Sequence, residues 1–313
     1  MSMLFKTAFA LASPSKQRAR LSILIFHRVL AQPDPIFPEE IDAATFERVC
    51  GWLKRWLNVL PLDVACARLR DGTLPSRAAC ITFDDGYADN CTVAMPILQR
   101  HGLTATFFIA TAFLDGGRMW NDAVYDSMRC APAGTLELGA LGRYELDTPA
   151  SRRAAVDAVI QRTKYLPIEE RLRVTEQLAA QCGAHAKGEL MMTRDQVRAL
   201  AAGGMQIGAH TRTHPILATL QDAEAYGEIA DGRAELEHIV GHRVGLFAYP
   251  NGKPGEDYLP RDVQLVRELG FDAAVSTAWG ASRSGSDPFQ LQRFTPWDRT
   301  QTRFGLRLLR NLL

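Results

Sequence analysis

The apolar positions of the chain form short continuous runs that alternate with stretches of helical spacing. Continuous apolar runs are typical of strands buried on both faces, as in a parallel sheet. The stretches between them carry apolar residues at intervals of three and four, which indicates helices. The predicted strands are residues 21–26, 58–60, 79–83, 105–109, 205–208, 245–249, 272–276 and 291–294. The predicted helices are residues 42–56, 63–70, 89–101, 222–238 and 262–269.

The order strand, crossover helix, strand recurs along the chain. Its clearest instance is the helix 89–101, ended by Gly102 and followed by the strand 105–109. About eight strands with intervening helices are typical of a (β/α) barrel. We therefore predict an α/β fold, a distorted (β/α) barrel of about seven or eight strands.

The stretch 115–190 interrupts this alternation. It contains charged helical patterns at 151–164 and 169–182 and no convincing strand. We predict a helical insertion after the fourth strand rather than a separate core, with a small subdomain as the alternative. The whole chain, residues 1–313, is then one domain that contains this insertion.

Composition limits the classes of partner. The 313 residues are 47% hydrophobic, which is enough for a full core. The 36 basic and 35 acidic residues give a formal charge of +1, so no global electrostatic field favours nucleic acid or an anionic membrane. A charge near zero is still compatible with local charged patches. No run approaches the roughly 20 apolar residues of a membrane-spanning helix. We predict no nucleic-acid partner and no transmembrane segment, and the composition carries no signal for an oligomeric state.

Cysteine usage and the first residues bear on location. The six cysteines have no CxxC spacing and are too sparse for a disulfide scaffold, which favours a reducing compartment. Residues 1–13 are apolar and end in Ala10-Leu11-Ala12, as a signal peptide would, but Lys6 interrupts the run and no basic segment precedes it. We expect a cytoplasmic location, with a periplasmic or membrane-peripheral one as the alternative.

Two adjacent acids, Asp84 and Asp85, follow the apolar run 79–83. A strand that delivers both into the fold makes their burial costly unless the charges have partners. Consecutive strand residues point to opposite faces, so both acids can serve one site only if the chain leaves strand geometry there. Gly86 tolerates such a turn. Taken alone, the pair is equally compatible with a functional site and a capped turn.

His210 and His214 lie four residues apart. A helix would place both rings on one face, but Pro215 disfavours helical geometry at His214, so a tight loop is the alternative. In either geometry both rings can converge on one ion. Thr211 stands where a metalloprotease helix would need Glu, which excludes that class. The structural alternative is two histidines that cap backbone groups of a loop.

Together the acids and histidines indicate a hydrolase. Asp85, His210 and His214 provide one carboxylate and two imidazoles, the three-ligand set of a catalytic zinc-type site that leaves a position for water. Asp84, next to the ligand and not itself bound, is placed to act as the general base that takes a proton from that water.

These residues resemble a known family. Residues 82–86 and 210–215 are similar to the first two motifs of the polysaccharide deacetylases, the NodB-homology or carbohydrate esterase family 4 proteins, and the resemblance covers roughly residues 21–296 outside the insertion. It implies a distorted (β/α) barrel with Asp84 as base and Asp85, His210 and His214 as metal ligands. It also implies hydrolysis of N-acetyl groups from an amino-sugar glycan, with release of acetate.

The implied cofactor is a divalent metal ion. Carboxylate and imidazole ligands suit zinc best, and cobalt, nickel, manganese or iron are also compatible with them.

The chain departs from the family at its third motif, Arg-x-Pro-Tyr, in which a backbone amide helps to form the oxyanion hole. Here Ala248-Tyr249-Pro250-Asn251 stands in its place, so the arginine that normally braces the base is missing. We expect the Asn251 amide to donate in the oxyanion hole, with Tyr249 and Pro250 beside it as substrate-binding residues. Arg293 on the last strand is our candidate for bracing Asp84, with a surface or structural arginine as the alternative.

The family's late Leu-x-His motif, which supplies the general acid, is also absent, because Leu291-Gln292-Arg293 stands there. Residues 25–29 instead resemble the opening of the circularly permuted branch, typified by exopolysaccharide (poly-N-acetylglucosamine) deacetylases. In that branch the acid histidine lies on the first strand, which implies His27. The alternative is a buried structural histidine.

Several aromatic residues are candidates for stacking on sugar rings. The segment Trp120-Asn121-Asp122, at the start of the insertion, is the best candidate for a substrate wall, and Trp297 follows the last strand and is placed to close the site. Aromatic residues at such positions often belong to the core instead. The full set of candidates is Tyr87, Trp120, Tyr249, Trp279 and Trp297.

The leading hypothesis is a metal-dependent N-deacetylase of a glycan that contains N-acetylhexosamine. The first alternative is a metal amidohydrolase that acts on another acylated molecule or a lipid-linked sugar. The second is a catalytically silent glycan-binding barrel, which the departures from the third and late motifs favour and the complete set of base and ligands opposes.

Overall fold

The computed structural model of the protein describes residues 2–184 and 190–313. Residues 185–189, which the sequence assigns to the insertion, lie outside the described residues. None of the described helices combines the length and apolar character needed to cross a bilayer. The strands are β1 (Arg20–Phe26), β2 (Asn58–Val59), β3 (Ala78–Phe83), β4 (Thr106–Ile109), β5 (Thr135–Glu137), β6 (Arg143–Glu145), β7 (Gln206–Ala209), β8 (Leu246–Ala248), β9 (Ala273–Trp279), β10 (Ser282–Arg283) and β11 (Leu291–Phe294).

The helices cover the strands from outside. The predicted helix 89–101 consists of a π-helical turn, Asn90–Ala94, that continues into an α-helix and ends at Gly102 in the left-handed conformation. The α-helices are α1 (Ser2–Ala12), α2 (Ala43–Trp56), α3 (Leu62–Arg70), α4 (Met95–His101), α5 (Trp120–Cys130), α6 (Pro149–Thr163), α7 (Ile168–Gln181), α8 (Arg194–Ala202), α9 (Asp222–Val240), α10 (Pro260–Glu268) and α11 (Gln301–Leu312).

Seven parallel strands form a closed barrel, which confirms the predicted fold class. They pair in the order β1, β11, β9, β8, β7, β4, β3, and β3 pairs again with β1 to close the ring. Two short strands lie outside the ring, of which β2 was predicted from the sequence and β10 was not. β2 pairs with the first residues of β3, and β10 runs antiparallel to the first residues of β1.

Side-chain alternation along the strands separates two apolar layers. Leu21, Ile23 and Cys80 belong to the cluster inside the barrel, whereas Phe83 and Phe107 belong to the cluster between the barrel and its helices. On β1, β3, β7 and β11 the positions that face the inside of the barrel end in polar residues. These residues lie just past the ends of β1, β3 and β7 and within β11. They are His27, Asp84, His210 and Arg293.

The insertion carries a hydrophobic cluster of its own. Val124, Met128, Val156, Val159 and Leu178 pack together between α5, α6 and α7, apart from the two barrel layers. This cluster favours the subdomain reading over our prediction of no separate core. The assignment of residues 1–313 to a single domain stays a prediction.

The insertion also contains strands, so the prediction that it has none is wrong. β5 and β6 form a two-stranded antiparallel sheet in which Leu136 pairs with Tyr144. Only Leu136 of β5 is buried, between exposed Thr135 and Glu137. One apolar position in three residues is too short a pattern to predict a strand.

Candidate active site

One cleft opens at the carboxyl ends of the barrel strands, between the barrel and the insertion. Its inner part has a volume of about 250 Å³ and its outer part about 480 Å³, and both are lined by His27, Asp85 and Asn251. The inner part brings together the four residues that the sequence predicts to act as one group, Asp84, Asp85, His210 and His214.

Arg293 braces Asp84, as the sequence analysis proposed. Its Nη1 donates to Asp84 Oδ1 at 2.8 Å and its Nη2 donates to Oδ2 at 2.7 Å, a bidentate pair between buried side chains. The guanidinium also donates through Nε to the Ser276 carbonyl at 2.8 Å and through Nη1 to Thr82 Oγ1 at 3.3 Å. The charge of Arg293 is therefore fully engaged, and the alternative of a surface arginine is excluded.

This pair decides the ionisation of Asp84. Burial opposes the charged carboxylate, but attraction to Arg293 and His210 outweighs burial and lowers the pKa of Asp84 below its usual value. A carboxylate that accepts two hydrogen bonds from one guanidinium keeps further lone pairs for another donor. Asp84 is thus held ionised and can still accept a proton.

Asp85 reaches the same site because the chain leaves strand geometry after Asp84. The φ angle is 77° at Asp85 and 94° at Gly86. At Gly86 a Cβ atom would also lie 3.0 Å from Ile109 Cγ2. Glycine is therefore needed for its conformation, as the sequence predicted, and also for the close approach of β4, which the sequence did not indicate.

Asp85, His210 and His214 face one another closely. Asp85 Oδ1 lies 3.5 Å from His210 Nε2 and 3.4 Å from His214 Nε2, and the three donor atoms lie within 4.8 Å of one another. Adjacent ligands of a tetrahedral ion with bonds of about 2.0–2.1 Å lie roughly 3.3–3.4 Å apart. The two distances from Asp85 match this spacing, so the Asp–His–His set is suited to a small divalent cation.

The imidazole contacts support the same conclusion. His210 Nδ1 donates to the Ala248 carbonyl at 2.7 Å, which fixes the tautomer and leaves Nε2 with a free lone pair. His214 Nδ1 is buried with no hydrogen-bond partner among the described residues. This nitrogen is therefore a buried polar atom that a further ligand can satisfy, while Nε2 faces Asp85.

The pKa values of the two imidazoles are shifted in opposite directions. Burial lowers the pKa of His214 to about 4, and the nearby charge of His210 acts in the same direction. Burial also opposes protonation of His210, but its contact with Asp85 and the charges of Asp84 and Asp85 prevail and raise its pKa. The carboxylate lies between them, and these contacts hold the pKa of Asp85 well below its ordinary value despite burial.

Backbone strain is concentrated around the cleft. Four non-glycine residues there have left-handed φ angles, each of which costs on the order of 1–3 kcal/mol. Thr211 is β-branched and therefore a genuine outlier. Its Oγ1 accepts from the His214 N–H at 3.1 Å and donates to the His210 carbonyl at 2.5 Å, so it ties the histidine loop together. The four residues are Asp85 (77°), Thr211 (63°), His214 (54°) and Asn251 (59°).

His27 and Asn251 both face the cleft. His27 is exposed, so the alternative of a buried structural histidine is excluded, and it lines the inner part together with Asp84. Asn251 accepts through its carbonyl from Thr277 Oγ1 at 2.8 Å. Its own N–H donates to no acceptor within residues 2–184 and 190–313. That amide is available to a bound carbonyl oxygen.

Three predicted aromatic residues line the cleft and two do not. Tyr87 and Trp297 line its outer part, and Trp120 lines its inner part. Trp279 is half exposed outside both parts, where Arg310 lies 6.0 Å from its ring centroid.

Tyr249 and Pro250 are not substrate-binding residues, and that prediction is wrong. Tyr249 is fully buried, stacks on Tyr258 at 3.9 Å and donates its hydroxyl to the Phe289 carbonyl. Because successive side chains of a strand point to opposite faces, Tyr249 points outward like Phe247, whereas Ala248 points into the barrel. Pro250 is buried and lines neither part of the cleft.

The two residues that follow Trp120 in the predicted substrate wall, Asn121 and Asp122, also line the cleft. Asn121 Oδ1 and Asp122 Oδ2 are buried acceptors with no partner among the described residues, and both side chains line the cleft. Asp122 Oδ1 accepts from the Tyr87 hydroxyl at 3.0 Å, and burial raises the pKa of Asp122 to about 7. The only signal was their place next to an aromatic residue at the start of the insertion.

Comparison with known proteins agrees with these features. The model of the family described as polysaccharide deacetylase matches residues 71–166 and 167–274, more than half of the chain. The Bacillus subtilis (strain 168) protein YxkH is 19% identical over 281 residues, which cover 89% of this chain and 72% of YxkH.

Solved structures share the fold. IcaB from Ammonifex degensii superposes with a TM-score of 0.62 at 18% identity, covering 94% of this chain and 97% of IcaB. The Streptococcus pyogenes deacetylase PplD, in complex with acetate, superposes with a TM-score of 0.61 at 16% identity, covering 94% of this chain and 99% of PplD. With the motifs and the Asp–His–His set in place, the family match shows that this chain belongs to the polysaccharide deacetylase family.

Proposed function

We propose that the protein is a metal-dependent hydrolase that removes N-acetyl groups from a glycan containing N-acetylhexosamine. One observation carries the proposal: Asp84, buried and held ionised by Arg293, stands beside Asp85, His210 and His214 in one cleft. Burying an ion pair is costly, and a protein that only binds a glycan has no use for one next to a cation site. A general base does need to be held ionised in that place.

Asp85, His210 and His214 would hold the metal ion. Zinc is our first choice, and cobalt, nickel, manganese or iron would accept the same nitrogen and oxygen donors. When bound, such an ion polarises the acetamide carbonyl and lowers the pKa of water.

Asp84 and His27 divide the proton transfers. Asp84 takes a proton from the attacking water on a carboxylate oxygen, while Arg293 keeps that carboxylate in place. The water oxygen forms a bond with the acetyl carbon and the C–N bond breaks. His27, on the exposed side of the cleft, gives a proton to the departing nitrogen, so acetate and a free amine are the products.

The Asn251 amide assists at the carbonyl oxygen. Its N–H is unused within the described residues and its carbonyl is fixed by Thr277. A donor that is fixed before the reaction stabilises the negative charge that develops on the acetyl oxygen. Tyr87, Trp120 and Trp297 form the apolar walls against which sugar rings stack.

Two alternative functions are less well supported. A silent glycan-binding barrel was favoured by the missing arginine of the third motif, but Arg293 supplies that brace from the last strand. A metal amidohydrolase for a lipid-linked or other acylated sugar uses the same groups and differs only in its substrate. A cytoplasmic location stays a prediction from the sequence.

Acetate release from oligomers of N-acetylglucosamine tests the proposal, with bound metal measured by elemental analysis of the same samples. Asp84→Asn should lower turnover by about 10²–10⁴-fold, the usual contribution of a general base, and keep the metal. His210→Ala should lose both turnover and bound metal, because it removes one of the proposed metal ligands.

Exposed residues of the same types provide matched controls. Asp63→Asn and His242→Ala lie away from the cleft and should change neither readout. Metal-loaded wild-type protein that releases no acetate from any N-acetylated amino-sugar oligomer would contradict the proposal.

A further inference from the structure

Helices α1 and α11 pack together on the outside of the barrel. A Cβ atom on Gly305 of α11 would lie only 2.5 Å from Phe5 Cε1 of α1, so only glycine permits this contact. Phe5 and Phe304 both pack against Trp56, at centroid distances of 4.8 Å and 6.2 Å. Because both helices bury the opposite side in one aromatic cluster, their outward sides form one continuous face.

That face exposes large apolar side chains. Met3, Leu4 and Leu11 on α1 are 84%, 71% and 79% exposed, Leu306 on α11 is 56% exposed, and Leu313, directly after α11, is 81% exposed. Soluble proteins rarely gather large exposed apolar residues in one place without a partner for them. A single exposed leucine would need no such explanation.

The same face is basic. The chain carries no Asp or Glu before Asp34 and none after Asp298. Arg303, Leu306 and Arg310 follow one another at helical spacing on the outward side of α11, and Leu313 continues the series just past its end. Among the described residues, Lys6 of α1 and Arg303 have no ion pair. The local charge is thus unbalanced although the chain as a whole is nearly neutral.

We propose that this face is a docking site for an anionic lipid bilayer. We call it the α1–α11 surface, and it consists of Met3, Leu4, Lys6, Leu11, Arg303, Leu306, Arg310 and Leu313. Leucine side chains enter the boundary between headgroups and acyl chains, while the flanking basic side chains meet the lipid phosphates.

The basic side chains of the α1–α11 surface, together with its leucines, favour an anionic bilayer over other partners. A second copy of the chain would bring two basic surfaces together, and like charges across an interface oppose association. Nucleic acid would match the charge and leave the leucines in water. Trp297 lines the outer cleft shortly before α11 begins, so docking would hold the mouth of the cleft near the bilayer.

Co-sedimentation of the full chain with vesicles tests this proposal without any substrate, so its result is independent of the proposed function. Wild-type protein should sediment with vesicles of phosphatidylglycerol and phosphatidylcholine and much less with phosphatidylcholine alone. Raising the ionic strength from about 0.1 M to about 1 M should weaken binding, because the Debye length falls from about 10 Å to about 3 Å.

Two double variants separate the charge from the apolar contacts. Arg303→Ala with Arg310→Ala should lower the partition coefficient about 30-fold, since each basic residue near an anionic surface contributes about fivefold. Leu4→Ser with Leu306→Ser should lower binding to the same vesicles. A larger fraction of the vesicle binding that remains should then be lost at high salt.

The control double variant is Leu172→Ser with Arg173→Ala, which removes an exposed leucine and an exposed arginine from α7. It should bind like wild type, and thermal unfolding of all variants should match because the altered side chains are exposed. Equal sedimentation with anionic and neutral vesicles would overturn the proposal. So would a dimer in vesicle-free buffer that dissociates in the Leu4→Ser, Leu306→Ser variant.

Discussion

The cleft has a barrel wall and an insertion wall, and the two differ in how completely their buried carboxylates are paired. On the barrel wall the charged groups are paired: Asp84 with Arg293, and Asp85 between two imidazoles. On the insertion wall, Asn121 and Asp122 present buried oxygen atoms that have no partner among the described residues. The barrel pairs its carboxylates with charged or imidazole partners, whereas the insertion leaves carboxylate and amide oxygens without a donor among the described residues.

The difference separates chemistry from recognition. Groups that move protons must be fixed before the substrate arrives, and the strained backbone at Thr211 and His214 shows that the barrel maintains such positions at a cost. Acceptors without partners are costly to bury, which favours a ligand whose hydroxyl or amine donors complete them. We therefore expect barrel variants to change turnover and insertion variants to change binding.

The largest effect is expected on the barrel wall, at Arg293. Arg293→Met leaves Asp84 as a buried charge with no guanidinium, which should lower the free energy of unfolding by about 3–5 kcal/mol. Acetate release should fall at least 10²-fold, because the unpaired carboxylate takes up a proton and loses its orientation. Urea denaturation and an acetate assay measure the two effects.

Removing both charges provides the control for that variant. Asp84→Asn combined with Arg293→Met leaves no uncompensated charge, so most of the lost stability should return while activity stays absent. If Arg293→Met alone were as stable as wild type, the pair would not hold the barrel together as described.

A smaller effect is expected on the insertion wall, at Asp122. Its pKa rises from the ordinary 3.8 to about 7 on folding, chiefly through burial. Between these values the folded state binds more protons than the unfolded state, so the free energy of unfolding should fall as the pH rises from about 4 to about 7. Each unit of pKa difference is worth about 1.4 kcal/mol.

Asp122→Asn should remove this part of the pH dependence. Urea denaturation at pH 4.5 and pH 7, in wild type and variant, makes the comparison. An identical difference between the two pH values in both proteins would show that Asp122 does not titrate in this range.

The smallest effect is expected from Trp120, at the start of the insertion. Trp120→Ala should raise KM about 2- to 12-fold, corresponding to about 0.5–1.5 kcal/mol for a lost aromatic stack, and leave kcat unchanged. Trp279→Ala removes a half-exposed tryptophan outside the cleft and is the matched control. A fall in kcat with constant KM would instead assign Trp120 to the reacting centre and break the division between the two walls.

Much of the barrel wall could be predicted from the sequence because its signals are local. The apolar runs mark the strands, and the acids and histidines directly follow them at the edge where parallel strands end. Arg293 was harder, because only the closing of the barrel brings it next to Asp84, 209 residues away. Its place two residues after Leu291, on the inward series of β11, was the usable signal.

The errors arose where burial depends on distant partners. Tyr249 follows an apolar strand as a site residue would, yet its side chain continues the outward series of Phe247 and meets Tyr258 from a later loop. The cluster of the insertion is assembled from three helices and a short sheet, none of which has a strong pattern alone. Such packing is a tertiary property, and short windows of sequence do not contain it.

The bond between Arg293 and Asp84 also sets an order in time. During synthesis Arg293 of β11 leaves the ribosome 209 residues after Asp84. Until then the carboxylate has no guanidinium beside it and the seven-stranded ring is open between β9 and β1. If Asp84 is the base, as we propose, it acquires its guanidinium partner only when β11 has joined the ring.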